Sequence, residues 1–166
     1  ANVNTSSDSI GSLTLSVTDG QGGSDSATFT FVVEAVNDAP TDISLSALAI
    51  EENSAGAIVG SISAVDADST SLTYSLSGTD SAFFEITSDG KLKLKSNVSA
   101  DFESKNSYDV TITAIDDAGG SSSKAFVVSI TDVNDAPTAL SIASLVFDEN
   151  SLGANLGAIS VTDPDA

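Results

Sequence analysis

The feature that most constrains the fold of this chain is an internal repeat with an offset of 97 residues. The hexapeptide VNDAPT begins at Val36 and again at Val133, and the same offset aligns residues 51–68 with residues 148–165 without a gap. Self-similarity at a fixed offset indicates that each copy is one structural unit. We expect one complete repeat, residues 41–137, between the back part of a preceding repeat (residues 1–40) and the front part of a following one (residues 138–166).

The dominant period inside the complete repeat is two, which predicts β-strands. In KLKLKS (residues 91–96) the alternation turns Leu92 and Leu94 toward a core and the lysines toward water. Six further segments are predicted as strands, namely 43–48, 57–65, 72–77, 82–87, 108–115 and 124–131. Seven short strands in about 100 residues predict an all-β fold, a seven-stranded antiparallel Greek-key β-sandwich of the immunoglobulin-like type. The proline of each short linker restricts the backbone, so successive sandwiches should sit end to end.

The composition excludes several function classes. The net charge is −19, with five lysines and no arginine, which argues against nucleic acid or an anionic membrane surface as a partner. Without histidine or cysteine the chain has no thiol nucleophile and lacks the commonest general base. The pair Asp101 and Glu103 has the residue types of glycosidase acids, but the aromatic residue beside it, Phe102, is expected to point inward. No apolar run is long enough to span a bilayer, and we expect no enzyme.

The acidic residues concentrate in particular turns. A sandwich places alternate turns at one pole, so Glu52, Asp101, Glu103 and residues 132–135 of the linker 132–138 (the lower linker) are expected to converge. Asp66, Asp68 and Asp116 should converge at the other pole, beside residues 35–41 (the upper linker). Convergent carboxylates repel one another unless a cation neutralises them, and Ca²⁺ takes six to eight oxygen ligands. The alternative is a plain solvated acidic surface, which is what we expect for Asp80, Asp89, Asp109 and Asp117.

Five motifs in order carry a resemblance to a known family. They are IEENSAG at 50–56, VDAD at 65–68, DFE at 101–103, AIDDAGG at 114–120 and DVNDAP at 132–137. Their order and spacing resemble the calcium-binding motifs of cadherin repeats, over residues 41–137 and the start of another repeat at 138–166. The Ala of NDAP, the strands rich in Ala, Ser and Thr, and the lack of cysteine resemble the bacterial, tandemly repeated version of the family, which is typical of large secreted or surface-attached adhesins. Residues 1–40 resemble the end of a related repeat.

The resemblance implies ligands at the lower linker. The ligands implied for a calcium pair are Glu52, Asp101, Glu103, Asp132 and Asp135, with Asp165 bridging from the next repeat. Glu51 is the less favoured alternative to Glu52. The ligands implied for a third site are Asn134, the carbonyl of Ala136, Asp163 and Asp165. Its remaining carboxylate would come from beyond residue 166, so we expect this third site to be weakened.

The upper linker departs from the family pattern. Ala35, Asn4 and Ser6 stand where Asp132, Asp101 and Glu103 stand one repeat later, so the paired site should be lost there. The ligands implied for the surviving third site are Asn37, Asp38, the carbonyl of Ala39, Asp66, Asp68 and Asp116. We therefore expect a calcium-rich lower linker and about one ion at the upper linker.

Two function classes remain from the sequence. The first is a calcium-rigidified spacer of a large bacterial surface protein, extracellular and in contact chiefly with neighbouring repeats of its own chain. The second is a binding module for like repeats on other chains, for fibre assembly between half-repeats, or for a glycan. Because outward strand positions are Ser, Thr, Lys and Asp, the sequence favours the spacer.

Overall fold

The computed structural model describes residues 9–143, 146, 149–150, 152–153 and 157–166, and these residues form β-structure throughout. A single turn of 3₁₀-helix lies at Ser81–Phe83 in this part of the chain. The strands, in chain order, are β1 Ser9–Thr18, β2 Ser24–Val33, β3 Thr41–Leu45, β4 Ala49–Glu51, β5 Ile58–Val65, β6 Thr73–Ser77, β7 Phe84–Ile86, β8 Lys91–Leu94, β9 Ser107–Ile115, β10 Ser121–Thr131, β11 Ala139–Ile142 and β12 Ile159–Thr162. The described residues contain no helix long and apolar enough to cross a membrane.

Strands β3 to β10 form a β-sandwich, which confirms the predicted all-β fold class. One sheet has the strand order β4-β10-β9-β6 and the other has the order β3-β5-β8-β7. The alternation in β8 is as predicted, since Leu92 and Leu94 are fully buried while the flanking lysines stay partly exposed. Ile112 and Val128 are buried in the same core from the opposite sheet. Burying a side chain of this size contributes about 1.5–3 kcal/mol to folding.

The first predicted strand, residues 43–48, corresponds to β3 but runs past its end, and β4 was not predicted, so the purely antiparallel arrangement is wrong. Strand β3 pairs antiparallel with β5, whereas β4 lies in the other sheet and pairs parallel with β10. The chain crosses between the sheets after Ser46, whose backbone amide donates to the carbonyl of Ser61 while its hydroxyl accepts from the Ser61 amide. The repeat therefore contains eight strand segments rather than seven. The predicted strand 82–87 is reduced to β7, because its first residues form the 3₁₀ turn.

Strand pairing defines the two poles of the sandwich. At the lower pole Glu51, which ends β4, pairs with Thr131, which ends β10. At the upper pole Ile115, which ends β9, pairs with Ser121, and the start of β3 pairs with the end of β5. The linkers and the acidic turns leave the sandwich at these poles.

The strand pairs at either end of the chain reproduce parts of the sandwich 97 residues away. The amide of Asp19 donates to Gly23 at 3.1 Å in the β1–β2 turn, and the amide of Asp116 donates to Gly120 at 3.0 Å in the β9–β10 turn. Apolar side chains of both terminal pairs are exposed, with Phe29 at 55% and Leu140 at 75% of full exposure. Each pair is a two-stranded sheet in the described part of the chain.

Candidate metal sites at the two linkers

Glu52 is the buried centre of the lower pole. It follows β4 directly, and 2% of its surface is exposed. Its Oε2 accepts a hydrogen bond of 2.7 Å from the amide of Phe102, and its Oε1 accepts one of 2.9 Å from the amide of Val133. This carboxylate therefore joins the loop before β9 to the lower linker. Glu51, the alternative candidate ligand in this turn, is exposed, whereas Glu52 is buried at the pole.

Carboxylates from three other chain segments, at Glu52, Asp132 and Asp165, meet the turn that carries Asp101 and Glu103. Oxygens of Glu52, Asp101 and Glu103 lie within 4.8 Å of one another, and so do oxygens of Glu103, Asp132 and Asp165. Glu103 belongs to both groups, and Asp165 comes from the segment after β12. We call the set Glu52, Asp101, Glu103, Asp132, Asp135 and Asp165 the lower cluster.

Hydrogen bonds place Asp135 in the same cluster. Its backbone amide donates to Oδ2 of Asp165 at 2.6 Å, and its Oδ1 accepts from the side-chain amide of Asn53 at 2.8 Å. Asp163 contacts the cluster through Asp165, since its Oδ1 accepts a hydrogen bond of 3.1 Å from the amide of Asp165. Asn53 was not singled out in the sequence, although it adopts a positive φ of 60°, a conformation that asparagine tolerates better than most residues.

The carboxylates of the lower cluster lie close enough together to affect the pKa of Glu103. A hydrogen bond from its own backbone amide lowers the pKa of Glu103, but burial and the negative charges of Glu52, Asp165 and Asp101 outweigh it and raise the pKa above 4.5. Neighbouring carboxylates disfavour ionisation because like charges repel. A cation bound among them would reverse that shift.

The remaining predicted ligands of the lower linker, Asn134 and Ala136, lie at the surface. Asn134 is exposed, and its side-chain amide donates to the carbonyl of Asp135 at 2.9 Å. Ala136 is also exposed. Both lie beside Asp135, as the third-site prediction requires, and their assignment as ligands stays a prediction.

Asn37, Asp38, Asp66, Asp68 and Asp116, which we call the upper cluster, meet at the opposite pole. The side-chain amide of Asn37 donates to Oδ2 of Asp116 at 2.9 Å. The backbone amide of Asp38 donates to Oδ2 of Asp68 at 3.1 Å, and the amide of Asp68 donates to Oδ1 of Asp66 at 3.0 Å. Three predicted segments are thus brought together around the upper linker.

Two oxygens of the upper cluster are buried without a hydrogen-bond donor. They are Oδ2 of Asp66 and Oδ1 of Asp68. A buried carboxylate oxygen without a hydrogen bond destabilises the folded state, so such an atom usually has a partner, which can be an ion. Backbone amides of Asp68 and Ser69 lower the pKa of Asp66. The amide of Asp38 acts in the same direction on Asp68, but Asp66, burial and the charge of Asp38 prevail and raise its pKa. The donor set, oxygen atoms only, fits a hard divalent cation.

Gly120 keeps the upper cluster open. A Cβ at this position would lie 2.4 Å from Oδ2 of Asp116 and 2.6 Å from Nδ2 of Asn37. It would also lie 3.3 Å from the Cα of Ala39, whose carbonyl is the predicted ligand. Asp116 itself is 6% exposed, and Asn37 is the largest of the hydrogen-bonding influences that lower its pKa.

One predicted surface residue is buried instead. Asp80 was expected to be solvated, yet it is 3% exposed and forms an ion pair with Lys105 at 2.5 Å. Asp89, Asp109 and Asp117 are exposed as predicted. Asn4 and Ser6, the residues expected to abolish a paired upper site, lie outside the described residues.

The comparisons with known proteins identify the family. The family model described as "Cadherin domain" matches residues 46–131, which is more than half of the chain. The chain belongs to the cadherin domain family. Cadherin domains are extracellular, non-enzymatic adhesion modules that generally bind Ca²⁺. The resemblance predicted from the five motifs is confirmed at this level. A comparison with curated proteins gave no significant match.

Solved cadherin structures share the fold of this cadherin chain. Protocadherin Gamma B7 extracellular cadherin domains 1–4 match with 24% identity and a TM-score of 0.64, over 94% of this chain and 41% of that one. Human CDH23 EC21-23 matches with 22% identity and a TM-score of 0.65, over 93% of this chain and 54% of that one. The protocadherin gammaB7 EC3-6 cis-dimer structure matches with 26% identity and a TM-score of 0.58, over 93% of this chain and 40% of that one. The chain thus spans between two fifths and just over half of these relatives.

Proposed function

We propose that this cadherin chain is a calcium-rigidified extracellular spacer from a large bacterial surface protein. In this proposal residues 41–137 are a complete repeat, residues 1–40 end the preceding repeat and residues 138–166 begin the next. The observation that carries the proposal is the group Glu103, Asp132 and Asp165, whose oxygens lie within 4.8 Å of one another. These residues come from the repeat, the linker and the following repeat. A single cation there would join all three.

At the lower linker we assign Glu52, Asp101, Glu103, Asp132, Asp135 and Asp165 as the residues that hold a calcium pair. Glu103 would contact both ions of the pair, since it lies in both carboxylate groups. Asp165 would bind from the following repeat, and it already accepts a hydrogen bond from the amide of Asp135 in the linker. Asn134, Ala136 and Asp163 would provide part of a third site. This assignment is supported by the geometry of the two carboxylate groups, since the oxygens within each group lie within 4.8 Å of one another.

At the upper linker we assign one calcium to Asn37, Asp38, the carbonyl of Ala39, Asp66, Asp68 and Asp116. The buried, unpaired oxygens of Asp66 and Asp68 support it. Ala35 offers no carboxylate where the lower linker has Asp132, so a calcium pair is not assigned here.

The mechanical role follows from electrostatics. Without the ion, carboxylates of adjacent repeats repel, which favours separation of the repeats about the linker. With calcium bound, the same oxygens share one cation and the linker is fixed. Extracellular calcium modules have dissociation constants of roughly 10⁻⁴–10⁻³ M, so the ion acts as a joint where calcium is abundant.

Distance measurements across the lower linker test this role. The chain has no cysteine, so spin labels on Ser75→Cys and Ser160→Cys, both at exposed positions, report one unique distance. Calcium should narrow the distance distribution, magnesium should not, and Glu103→Gln should keep the distribution broad with either ion. An equally broad distribution in calcium and in chelator would overturn the spacer mechanism.

A self-association role is the second candidate, and one observation favours it. The exposed face of β1–β2 carries Leu13, Leu15 and Phe29, which lie 97 residues before Val110, Ile112 and Phe126 of the buried core. A face built for a sandwich core fits the apolar strands of a like repeat on another chain. Analytical ultracentrifugation over a hundredfold range of concentration decides this point. A concentration-dependent dimer or fibre that Leu15→Lys abolishes supports it, and a monomer at every concentration rejects it. Retention on a polysaccharide column would support the glycan variant of this second class instead.

A further inference from the structure

Asp80 is a buried acidic residue that belongs to neither cluster. It lies in the turn after β6, and its Oδ2 accepts a hydrogen bond of 2.7 Å from the amide of Asp109 in β9. Its own amide donates to the carbonyl of Asp109 at 3.1 Å. The second oxygen, Oδ1, pairs with the ammonium of Lys105 at 2.5 Å. Asp80 is therefore fixed to the sheet on one side and reaches the loop before β9 on the other.

Lys105 closes the loop that carries two residues of the lower cluster. Its backbone amide donates to the carbonyl of Asp101 at 2.9 Å, so residues 101–105 form one tight turn. Its ammonium lies 5.0 Å from the ring centre of Tyr108, a buried residue of β9. Within the turn, the amide and hydroxyl of Ser104 donate to the carboxylate of Asp101 at 2.9 and 3.0 Å. The turn thus holds Asp101 from inside, while Lys105 ties it to Asp80.

The loop needs such an attachment because its own charges oppose its position. Asp101 and Glu103 lie against Glu52, and Glu103 lies against Asp132 and Asp165 as well. Lys105, two residues from Glu103, is a cation that could neutralise the loop, and the pair with Asp80 keeps its ammonium occupied elsewhere.

We propose that Asp80 is a positioning residue of the lower calcium sites: its ion pair with Lys105 holds the loop 101–105 in place for the ion and keeps the ammonium of Lys105 out of the lower cluster. This inference rests on the proposed calcium role. Loss of Asp80 has two consequences of the same sign, because the loop is released and a competing cation becomes available to the carboxylates of that loop.

Calcium titration by calorimetry tests the inference at the lower linker alone. All variants carry Asp68→Asn, which removes the upper site. In that background Asp80→Asn should weaken calcium binding by about tenfold or more, the usual effect of removing a residue that orients a metal ligand. Lys105→Arg, which keeps the ion pair, should bind as the parent does. The matched control is Asp89→Asn, which breaks an ion pair of 2.7 Å with Lys91 in the exposed turn after β7.

The outcomes separate the inference from the function on which it rests. If the parent binds no calcium, the proposed function fails. If the parent binds calcium and Asp80→Asn binds equally well, the positioning role is wrong while the proposed function stands. If Asp80 were needed only for folding, its loss would also weaken calcium binding at the upper site. Asp80→Asn is therefore measured again without Asp68→Asn, and the calcium affinity of the upper site should not change. If Asp80→Asn does not fold in chelator, Asp80→Ser, whose hydroxyl can still accept from the amide of Asp109, takes its place, and unchanged affinity in that variant overturns the inference.

Discussion

The backbone amide of Asp135 donates a hydrogen bond of 2.6 Å to Oδ2 of Asp165. One repeat earlier, the amide of Asp38 makes the same bond to Oδ2 of Asp68 at 3.1 Å. In both places the linker is already tied to an acidic loop further along the chain, the loop after β12 for Asp165 and the loop after β5 for Asp68. The two linkers share this geometry and differ in the carboxylates that precede them in the chain, and under the proposed function their calcium capacities depend on that difference.

Glu52→Ala should destabilise the protein even without calcium. Both oxygens of Glu52 accept backbone amides, from Phe102 and Val133, and the substitution leaves these donors without their acceptor. We expect a loss of about 2–4 kcal/mol in the free energy of unfolding. Urea unfolding in chelator measures it, with Glu51→Ala at the exposed neighbouring position as the control, expected within about 0.5 kcal/mol of the wild type. Equal losses in the two variants would show that the buried hydrogen bonds of Glu52 contribute nothing.

Asp68→Asn should remove calcium binding at the upper linker and spare the lower linker. Oδ1 of Asp68 is buried without a donor, and Oδ2 already accepts from Asp38, so the amide would place an N–H group where oxygen is needed. Calorimetric titration should lose one class of site. Asp117→Asn, an exposed neighbour of Asp116, removes the same charge and should keep every site. Loss of sites in Asp117→Asn as well would point to net charge rather than to ligand geometry.

Two substitutions of Asn53 should separate its backbone role from its side-chain role. Asn53 has a φ of 60°, and its side chain donates to Asp135 at 2.8 Å. Asn53→Gly tolerates the backbone conformation, whereas Asn53→Ala costs about 1–2 kcal/mol there. In chelator, thermal unfolding should find the alanine variant less stable than the glycine variant. Both variants lose the bond to Asp135 and should bind calcium more weakly to a similar degree. Equal stability of the two would refute the backbone role.

The acid stability of the protein should depend on Asp80. The ion pair with Lys105, together with the amide of Asp109, lowers the pKa of Asp80 below its usual 3.8. A lowered folded-state pKa gives stability that is present above about pH 3.8 and is lost as the pH falls through the folded-state value. Between pH 5 and pH 2 the free energy of unfolding should therefore fall more steeply in the wild type than in Asp80→Asn, as measured by urea unfolding in calcium-free buffer. If the free energy of unfolding fell equally steeply with pH in both proteins, the ion pair of Asp80 with Lys105 would not contribute to acid stability.

The sequence predicted the fold class and the convergence of Glu52, Asp101 and Glu103, because alternation defines strands and alternate turns of a sandwich share a pole. The crossing between β3 and β4 was missed, although a signal exists. Ile43 and Leu45 occupy odd positions and Ile50 an even one, so the inward-facing parity changes where the chain changes sheets.

Asp80 was missed for a different reason. Its partner lies 25 residues further along the chain, in another loop, and no local pattern marks the pair. From sequence, an aspartate in a turn is expected to be solvated, and only the tertiary structure shows that Lys105 lies beside Asp80. Asn53 could have been noticed, since asparagine is enriched at positive φ, but its bond to Asp135 spans 82 residues.

The most direct test of the calcium account is thermal unfolding of the whole chain in calcium, in excess chelator and in magnesium. At ten times the dissociation constant each bound ion contributes about 1.4 kcal/mol to the folded state. For a domain of about 100 residues, the size of the proposed complete repeat, that corresponds to roughly 6–11 °C per site. The account predicts a rise of at least that size in calcium and little change in magnesium. Equal melting temperatures in calcium and in chelator would mean that the two clusters are acidic surfaces and hold no calcium.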